Sequence, residues 1–406
     1  MIKLNEFNVF VLAIVMAIPV CLFSCQPTAK DQESTENNQS VLNSELAYDW
    51  DSLFIKTNGW FGGDGIFGIP MDGKEFVPAT DSTVTLFTFG DTMIGDHDGN
   101  VLKRGNYTMV NNSVGILVGN QPDSEKLDFF MDQDDGGDPK ALFIPNTPKS
   151  EAGDYYWLGD GFVNVDADSS LYIFAYLIHE ADTAGRGGFA FEQIGVNLIS
   201  IPKGSNPPYH DQEQFTTPFF DMDTETSFGS AIYVNTKSAG APNPDGYIYV
   251  YAVSKLKGIK GLIVARTLPE NFTDFSSWRF WNGQDWDIDM KNSAMIAEFV
   301  SNEMSVSPLP NGEILLAYQF MTMGTDVVVQ KGKSLTGPFE EKKIVWQTTE
   351  NDRDKDYFTY NAKAYPHLSA PGEVLISYNV NSFDFWNDIL TDPTLYRPRF
   401  VRWTIE

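Results

Sequence analysis

Short apolar runs recur along the chain from Trp60 onward, and each run ends in glycine, aspartate, asparagine or proline. Several of them alternate apolar and polar residues, and none keeps a helical period over three turns. The pattern therefore predicts strands joined by turns, and an all-β protein. The predicted strands are 83–89, 113–118, 171–177, 194–201, 247–251, 262–265, 313–318, 326–330 and 374–378.

The predicted strands fall into five units of similar pattern. Each unit opens with a short polar or acidic segment and, after a turn, returns as an apolar strand that begins near residue 86, 171, 247, 314 or 374. The openings are 63–65, 159–161, 228–230, 302–305 and 360–362. Small antiparallel sheets repeated around an axis form propellers, so the pattern predicts a five-bladed β-propeller. A two-sheet sandwich, which also has regular short strands, stays open as the alternative.

The beginning of the chain has the composition of a signal peptide. An apolar run of 15 residues covers positions 9–23, which is shorter than the ~20 residues of a membrane-spanning helix. The run ends in Leu-Phe-Ser-Cys25, which resembles a bacterial lipobox that is cleaved before the cysteine and acylated on it. An ordinary secretory signal or a short membrane anchor is the alternative interpretation.

The cysteine positions agree with a lipid anchor. Cys21 and Cys25 are the only cysteines, so cleavage would leave one thiol at the start of the mature chain and no internal disulfide. The polar residues that follow have no apolar period and predict a tether. We therefore divide the chain into a signal peptide (1–24), a lipidated cysteine with its tether (25–45) and a propeller catalytic domain (46–406). We expect an exported protein, lipid-anchored to the bacterial outer membrane and exposed on the cell surface.

Composition narrows the choice of partner. The chain has 406 residues with 28 Lys+Arg against 55 Asp+Glu, which gives a formal net charge of -27. So acidic a composition argues against binding to nucleic acid or to anionic lipid headgroups, because both partners need positive charge at the contact. Aromatic residues make up 14% of the chain, and their flat rings can stack on sugars. We expect a monomer with a polysaccharide partner.

Several segments resemble two families of unknown function. They are 58–65 (NGWFGGDG), 89–92 (FGDT), 157–161 (WLGDG), 228–233 (FGSAIY), 261–266 with 278–281, 302–305 (NEMS), and 360–363 with 378–381. In this order they resemble the domain-of-unknown-function families 4185 and 5005 over nearly all of residues 55–404. The resemblance implies a five-bladed propeller related in architecture to the furanosidases. Some members of the first family are endo-D-arabinanases that cut the arabinan of mycobacterial cell-wall glycans.

The same segments contain carboxylates that suit glycoside hydrolysis. This reaction usually takes two carboxyl groups, one that protonates the leaving oxygen and one that attacks or activates water. Asp64, Asp160 and Glu303 stand at equivalent openings of three units, and Asp91 follows the first returning strand. Inner strands of a propeller converge on its axis, so these acids can face one funnel. Taken singly, each acid is explained equally well as a turn former.

The surroundings of the acids suggest roles for them. Apolar neighbours should raise the pKa of Glu303, which makes it our candidate for the general acid. Asp64 lies between two glycines, where backbone N–H groups can approach, so we expect it to stay ionised as nucleophile or base. Asp160 would orient sugar hydroxyls or tune the acid. Asp91 could exchange roles with Asp160.

Other side chains are candidates for holding the sugar. Aromatic rings could stack on it, amides and a hydroxyl could bond to it, and arginines could pair with the acids. Turn and blade-edge positions explain the asparagines equally well, and surface ion pairs explain the arginines. The candidate substrate-binding residues are Trp60, Trp157, Ser230, Asn361, Asn379, Asn381, Arg266 and Arg399.

Other chemistries find little support in the sequence. The four histidines have no close metal spacing, and we expect no cofactor and no catalytic metal. Segments 96–100 and 132–138 could hold a structural Ca²⁺ through carboxylate oxygens, although both are ordinary acidic turns. The sequence therefore predicts a hydrolase of furanose-rich polysaccharide. A non-catalytic glycan-binding lipoprotein with the same funnel stays open as the alternative.

Replacing Cys25 with alanine tests the predicted lipid anchor. We expect the variant to move from the membrane fraction to the soluble exported fraction, because acylation needs the thiol. Cell fractionation with immunoblotting of wild type and variant measures the shift. A variant that stays in the membrane would show that the apolar segment 9–23 is itself the anchor.

Overall fold

The computed structural model describes residues 43–180 and 191–405. The predicted signal peptide, Cys25 and most of the predicted tether lie outside the described residues. The first strands in chain order are β1 (Ser44–Leu46), β2 (Asn58–Gly63), β3 (Phe67–Pro70), β4 (Val84–Phe89), β5 (Thr92–His97), β6 (Leu102–Val110), β7 (Ser113–Val118), β8 (Leu127–Phe130), β9 (Asp132–Gln133), β10 (Pro139–Lys140), β11 (Tyr155–Val163), β12 (Leu171–Glu180), β13 (Phe191–Ile201) and β14 (Glu213–Thr216).

The remaining strands follow in the second half of the chain. They are β15 (Phe220–Asp221), β16 (Thr226–Asn235), β17 (Tyr247–Leu256), β18 (Ile259–Thr267), β19 (Arg279–Trp281), β20 (Trp286–Asp287), β21 (Ala297–Glu298), β22 (Met304–Pro308), β23 (Ile314–Gln319), β24 (Asp326–Gly332), β25 (Lys343–Gln347), β26 (Tyr357–Ala364), β27 (Glu373–Ser382) and β28 (Arg399–Thr404). All nine strands predicted from the sequence coincide with observed strands, so the prediction of a mainly β fold is confirmed.

Helices are few and short in the described part of the chain. The α-helices are α1 (Tyr48–Leu53), α2 (Glu350–Arg353) and α3 (Phe385–Thr391). Single 3₁₀ turns lie at Ser124–Lys126, Pro269–Asn271, Phe275–Ser277, Met290–Asn292 and Pro366–Leu368. None of these helices has the length and apolar character that crossing a membrane requires.

Within the described residues, five antiparallel sheets have four or more strands. Their strand orders are β3-β4-β7-β8, β11-β12-β13-β14, β15-β16-β17-β18-β19-β20 with β21 beside β18, β22-β23-β24-β25, and β26-β27-β28-β1. A three-stranded sheet, β2-β5-β6, continues the first of them beyond a break in its strands, and β9 pairs with β10. The apolar faces of these sheets form the core.

In each of the five larger sheets, one strand contacts the corresponding strand of the next sheet. We call these the inner strands: β3, β11, β16, β22 and β26. They contact one another in chain order, from β3 to β11, β16, β22 and β26. The hydroxyl of Tyr365, just after β26, donates a 2.8 Å hydrogen bond to the carbonyl oxygen of Ile66, just before β3. The contacts thus return to the first sheet. This cyclic order is consistent with a β-propeller-like fold and does not fit the alternative of a two-sheet sandwich.

The first described residues close the last of these sheets. Strand β1 pairs with β28, so the two ends of the domain share one sheet. Phe54, at the end of α1, is fully buried, and its ring lies 5.5 Å from that of Phe400 between centroids. Four further rings lie within 6.2 Å of it, those of Trp60, Phe87, Phe89 and Phe129. The aromatic cluster therefore fastens the first segment to both the first and the last sheet.

Replacing Phe54 with alanine tests how much this closure contributes. We expect the free energy of unfolding to fall by about 3–5 kcal/mol, because the change leaves a cavity among five rings. Urea unfolding followed by tryptophan fluorescence measures it. Tyr48→Ala is the control, since Tyr48 lies on the same helix but is 70% exposed, and we expect a change within about 0.5 kcal/mol. Equal stability of the two variants would contradict the structural role of Phe54.

Candidate functional site

Three inner strands carry a β-bulge at the same place along their length. Their pairing with the next strand shifts register within 158–161 of β11, 228–231 of β16 and 360–363 of β26. A bulge leaves residues out of the ladder and turns their side chains in new directions. Asp160, Ser230 and Asn361 occupy these bulges. The repeated openings seen in the sequence therefore correspond, in three units, to repeated bulges.

Two of the bulges depend on residues that tolerate a left-handed backbone. Gly229 has φ +104°, and a Cβ there would stand 2.4 Å from the Cβ of Phe174. Asn361 has φ +57°, a conformation that asparagine adopts more readily than most residues. The amino-acid types at these openings thus follow from the backbone as well as from any chemistry of their side chains.

Asp64 and Asp91 lie beside each other where a long hairpin is interrupted. Asp64 follows β2 and Asp91 lies between β4 and β5. The N–H of Asp64 donates to the Asp91 carbonyl oxygen at 3.4 Å, and the N–H of Gly90 donates to the Asp64 carbonyl oxygen at 2.8 Å. A Cβ on Gly90 would stand 2.8 Å from Asp64 Oδ1, so only glycine leaves room for this carboxylate.

Two tyrosines and a lysine surround the Asp64 carboxylate. Tyr360 Oη donates a 2.6 Å hydrogen bond to Asp64 Oδ2. Burial raises the pKa of Asp64, while hydrogen bonds from Tyr360 and Tyr396 and the charge of Lys363 oppose this rise. Donors of this kind favour the ionised carboxylate.

Asp91 carries the stronger tendency to keep a proton. Burial raises the pKa of Asp91 to about 7, and the negative charge of Asp64 adds to the rise. Trp157 Nε1 and Asn111 Nδ2 donate to Asp91 Oδ1 at 3.0 and 3.2 Å and partly oppose it. Because the two carboxylates repel each other in a poorly solvated place, the pair can hold one proton near neutral pH.

Glu303, immediately before β22, forms a buried ion pair across the inner strands. Lys363 of β26 donates from Nζ to Glu303 Oε2, and the two side chains are 2% and 11% exposed. Lys363 Nζ also lies 4.2 Å from the centre of the Phe67 ring. Burial raises the pKa of Glu303, as its apolar neighbours predicted, but the charge and hydrogen bond of Lys363 lower it.

Asp160 uses both carboxylate oxygens to join β11 to β16. Its Oδ1 accepts the N–H of Gly161 at 2.8 Å, and its Oδ2 accepts the N–H of Ile232 at 2.7 Å. Burial raises the pKa of Asp160 to about 7, while these two N–H groups and Lys363 oppose the rise. Asp160 therefore links the inner strands β11 and β16.

Polar groups near the acids have unused hydrogen-bonding capacity. Asn379 Oδ1 accepts the N–H of Gly65 at 3.3 Å, but Asn379 Nδ2 is buried and finds no hydrogen-bond partner among the described residues. Buried polar atoms normally have partners, so this amide nitrogen marks a place for water or a ligand hydroxyl. Asn381 Nδ2 donates a 3.4 Å hydrogen bond to Tyr360 Oη, which places Asn381 beside the hydrogen-bonded pair of Tyr360 and Asp64.

Three of the predicted sugar-binding residues pack against other parts of the protein. Trp60 is 2% exposed because its ring stacks on Phe129 at 4.2 Å, so no sugar can reach its face. Arg266 lies on β18, where its guanidinium is 4.2 Å from the ring centres of both Tyr247 and Trp286.

Arg399 is likewise buried away from the four acids. It donates hydrogen bonds to the carbonyl oxygens of Arg397 and Thr394, and the carboxylate with the largest effect on its pKa is Asp51. Neither Arg266 nor Arg399 therefore pairs with the acid cluster as predicted.

The sequence analysis missed Lys363, Tyr360 and Tyr396. Tyr360 and Lys363 fall within the 360–363 segment that carried the family resemblance, so a signal was present for both. Tyr396 follows α3 and gave no signal, because only folding brings it to Asp64.

The two segments considered for Ca²⁺ use their carboxylates to close turns. Asp98 Oδ1 accepts the N–H groups of Asn100 and Val101, and Asp134 Oδ1 accepts those of Gly136 and Asp138. Over residues 43–180 and 191–405, no group of three or more His, Cys, Asp or Glu side chains is arranged to hold a metal ion.

Comparison with solved structures finds several similar proteins. A protein from Bacteroides ovatus ATCC 8483, provisionally described as a hydrolase, superposes with a TM-score of 0.67 at 20% identity over 90% of this chain and 92% of that chain. An α-L-arabinofuranosidase from Podospora anserina gives a TM-score of 0.42 at 12% identity over 85% of this chain and 96% of that chain. A protein of unknown function from Dyadobacter fermentans DSM 18053 gives 0.42 at 11% identity over 90% and 87%.

The similarity to the Bacteroides ovatus protein shows that the two proteins share a fold. None of the curated proteins matches the sequence. The profile of one protein family, described as Domain of unknown function (DUF5005), matches residues 47–404 and so includes all four candidate acids. This is the second of the two families that the sequence resembles, whereas the endo-D-arabinanases belong to the first. The chain is therefore a member of the DUF5005 family.

Proposed function

We propose that this protein is a glycoside hydrolase and that the cluster of Asp64, Asp91, Asp160 and Glu303 forms its active site. The observation that carries the proposal is the pair Asp64 and Asp91, held side by side with different tendencies to ionise. Two carboxyl groups pushed to different protonation states are what hydrolysis of a glycosidic bond requires. In this proposal the five larger sheets are the blades of a five-bladed propeller.

Asp64 is the proposed nucleophile or base, in agreement with the role expected from its sequence. Hydrogen bonds from Tyr360 and Tyr396 stabilise its negative charge. Both the retaining and the inverting mechanism use an ionised carboxylate opposite a protonated acid.

Asp91 is the proposed proton donor, in place of Glu303. Protonating Glu303 would leave the buried charge of Lys363 without its partner, which is energetically costly. A carboxyl whose pKa is about 7 can hold and donate a proton near neutral pH. The Glu303–Lys363 pair and Asp160 then set the electrostatics of the site, and Trp157, Ser230, Asn361, Asn379 and Asn381 are the proposed contacts of the sugar.

The proposed substrate is a furanose-rich polysaccharide, with internal cleavage of D-arabinan of the mycobacterial type as the specific proposal. The choice of D-arabinan is supported by the resemblance of the sequence to family 4185, some of whose members are endo-D-arabinanases. We further propose that the protein acts as a monomer on the surface of the outer membrane, held by lipid on Cys25. A glycan-binding protein that does not cleave is the competing function, and the following experiment separates the two.

Replacing Asp64 with asparagine tests the proposed activity. We expect the release of reducing ends from purified mycobacterial arabinan to fall at least about 100-fold, because the nucleophile or base is lost while the substrate still binds. Asp81→Asn, the same substitution at an exposed acid outside the site, is the control and should keep full activity. Binding of arabinan by wild type in affinity electrophoresis without any cleavage would instead favour the non-catalytic function.

The pH dependence of kcat/KM tests the choice of proton donor. The acid must carry its proton, so we expect kcat/KM on arabinan to decline as the pH rises through about 7, the pKa of Asp91. Asp91→Asn should lose most activity and this alkaline decline with it, whereas Glu303→Gln should keep the decline. The opposite pattern, with the decline removed by Glu303→Gln, would return the role of general acid to Glu303.

A further inference from the structure

Aromatic side chains lead away from Asp64 toward the surface, and we call Tyr360, Phe358 and Phe383 the aromatic strip. Tyr360 and Phe358 are two residues apart on β26, so both project from the same face of the strand. Their ring centroids are 5.5 Å apart, and those of Phe358 and Phe383 are 4.7 Å apart. The strip begins at the hydrogen bond from Tyr360 to Asp64 and ends in open solvent, where Phe383 is 65% exposed.

The outer end of the strip is fixed by its surroundings. The N–H of Phe383 donates to the carbonyl oxygen of Asp356 at 3.0 Å, which ties the end of β27 to the start of β26. Two residues further on, Phe385 begins α3 and its ring packs 5.0 Å from that of Tyr396. An exposed aromatic ring on a well-anchored backbone loses little entropy on binding a ligand.

Polar groups accompany the rings. Asn381 pairs with Phe358 across the two strands and donates its amide to Tyr360 Oη at 3.4 Å. Asp384 directly follows Phe383. Flat rings beside amides and carboxylates match the surface of a sugar, whose C–H faces are apolar and whose edge carries hydroxyl groups.

We propose that Phe358 and Phe383 form a stacking subsite for a sugar of a neutral polysaccharide, next to the sugar that is cleaved. The inference rests on the proposed function and deepens it. Two residues of a strand span about 7 Å along the backbone, and the rings of Phe358 and Tyr360 are 5.5 Å apart, so Phe358 lies where a neighbouring sugar in the chain would lie. A subsite of this kind binds the interior of a polysaccharide and so favours internal cleavage.

The charge and size of the strip argue against other ligands. The net charge of -27 repels an acidic polysaccharide, and the charge of the nearby Lys363 is already paired with Glu303. The exposed ring of Phe383 and the half-buried ring of Phe358 offer far less area than the roughly 1,000 Å² or more that a stable protein interface buries. A neutral glycan is the occupant that fits both limits.

The test compares long and short substrates. We would measure kcat/KM of wild type, Phe383→Ala and Phe358→Ala on purified mycobacterial arabinan and on an arabinotriose released from it. Loss of a stacked ring should lower kcat/KM on arabinan about tenfold, mainly through KM, and lower it less on the trisaccharide. Tyr48→Ala removes an exposed ring far from the strip along the chain and should match wild type on both substrates.

A further variant separates stacking from packing. Phe383→Leu keeps an apolar side chain of similar reach but has no flat ring, so we expect it to behave like Phe383→Ala. Wild-type activity of Phe383→Leu on arabinan, or an equal loss on both substrates for Phe383→Ala and Phe358→Ala, would overturn the subsite.

The outcomes also separate this inference from the proposed function. If wild type cleaves arabinan and the strip variants cleave it equally well, the subsite alone is refuted. If wild type binds arabinan without cleaving it, weaker binding by Phe383→Ala in affinity electrophoresis supports the subsite in a glycan-binding protein, and unchanged binding refutes it. If wild type neither binds nor cleaves arabinan, the proposed function fails and the subsite for this glycan fails with it.

Discussion

The acid cluster depends on one buried positive charge. Asp64, Asp160 and Glu303 all lie close enough to Lys363 for its charge to lower their pKa values, although burial raises each of them. Several carboxylates in a poorly solvated place repel one another, and a lysine among them offsets part of that cost. Lys363 is held from both sides, by its hydrogen bond to Glu303 and by the ring of Phe67. It thereby joins the fourth, fifth and first sheets of the ring as well as balancing their charges.

The fold brings these groups together through irregularities in its strands. Regular strands would alternate their side chains between the two faces of each sheet, and the central axis would receive little chemistry. Bulges in β11, β16 and β26 release Asp160, Ser230 and Asn361 from that alternation. The interrupted hairpin between β2 and β5 does the same for Asp64 and Asp91. The elements that weaken the ladders are thus the ones that supply the candidate site.

The sequence predicted the strands well because alternation records which face of a sheet is buried. It also singled out Asp64, Asp91, Asp160 and Glu303 as candidate acids, and the fold brings these four side chains into one cluster. Its failures concern contacts made at long range. Trp60 and Asp64 are four residues apart, yet the tryptophan packs on Phe129 in the core, and nothing local to the sequence says so. The partnership of Glu303 with Lys363 joins positions 60 residues apart in the chain, and a lysine between two alanines gives no sign of it.

The placement of Lys363 also affects how the protons are distributed among the acids. The ammonium group of Lys363 donates its hydrogen bond to Glu303 and so stabilises that carboxylate directly. It acts on Asp64 only through its charge. Asp91 is left with the repulsion of Asp64 and with two neutral donors, Trp157 and Asn111. A neutral donor stabilises a carboxylate less than a cation does, so within the pair it is the ionisation of Asp91 that is less compensated than that of Asp64. Because Asp64 and Asp91 share one interrupted hairpin, their separation is set by local backbone geometry. The division of charge between them depends on groups from the opposite end of the domain, first the hydroxyls of Tyr360 and Tyr396 and then the charge of Lys363.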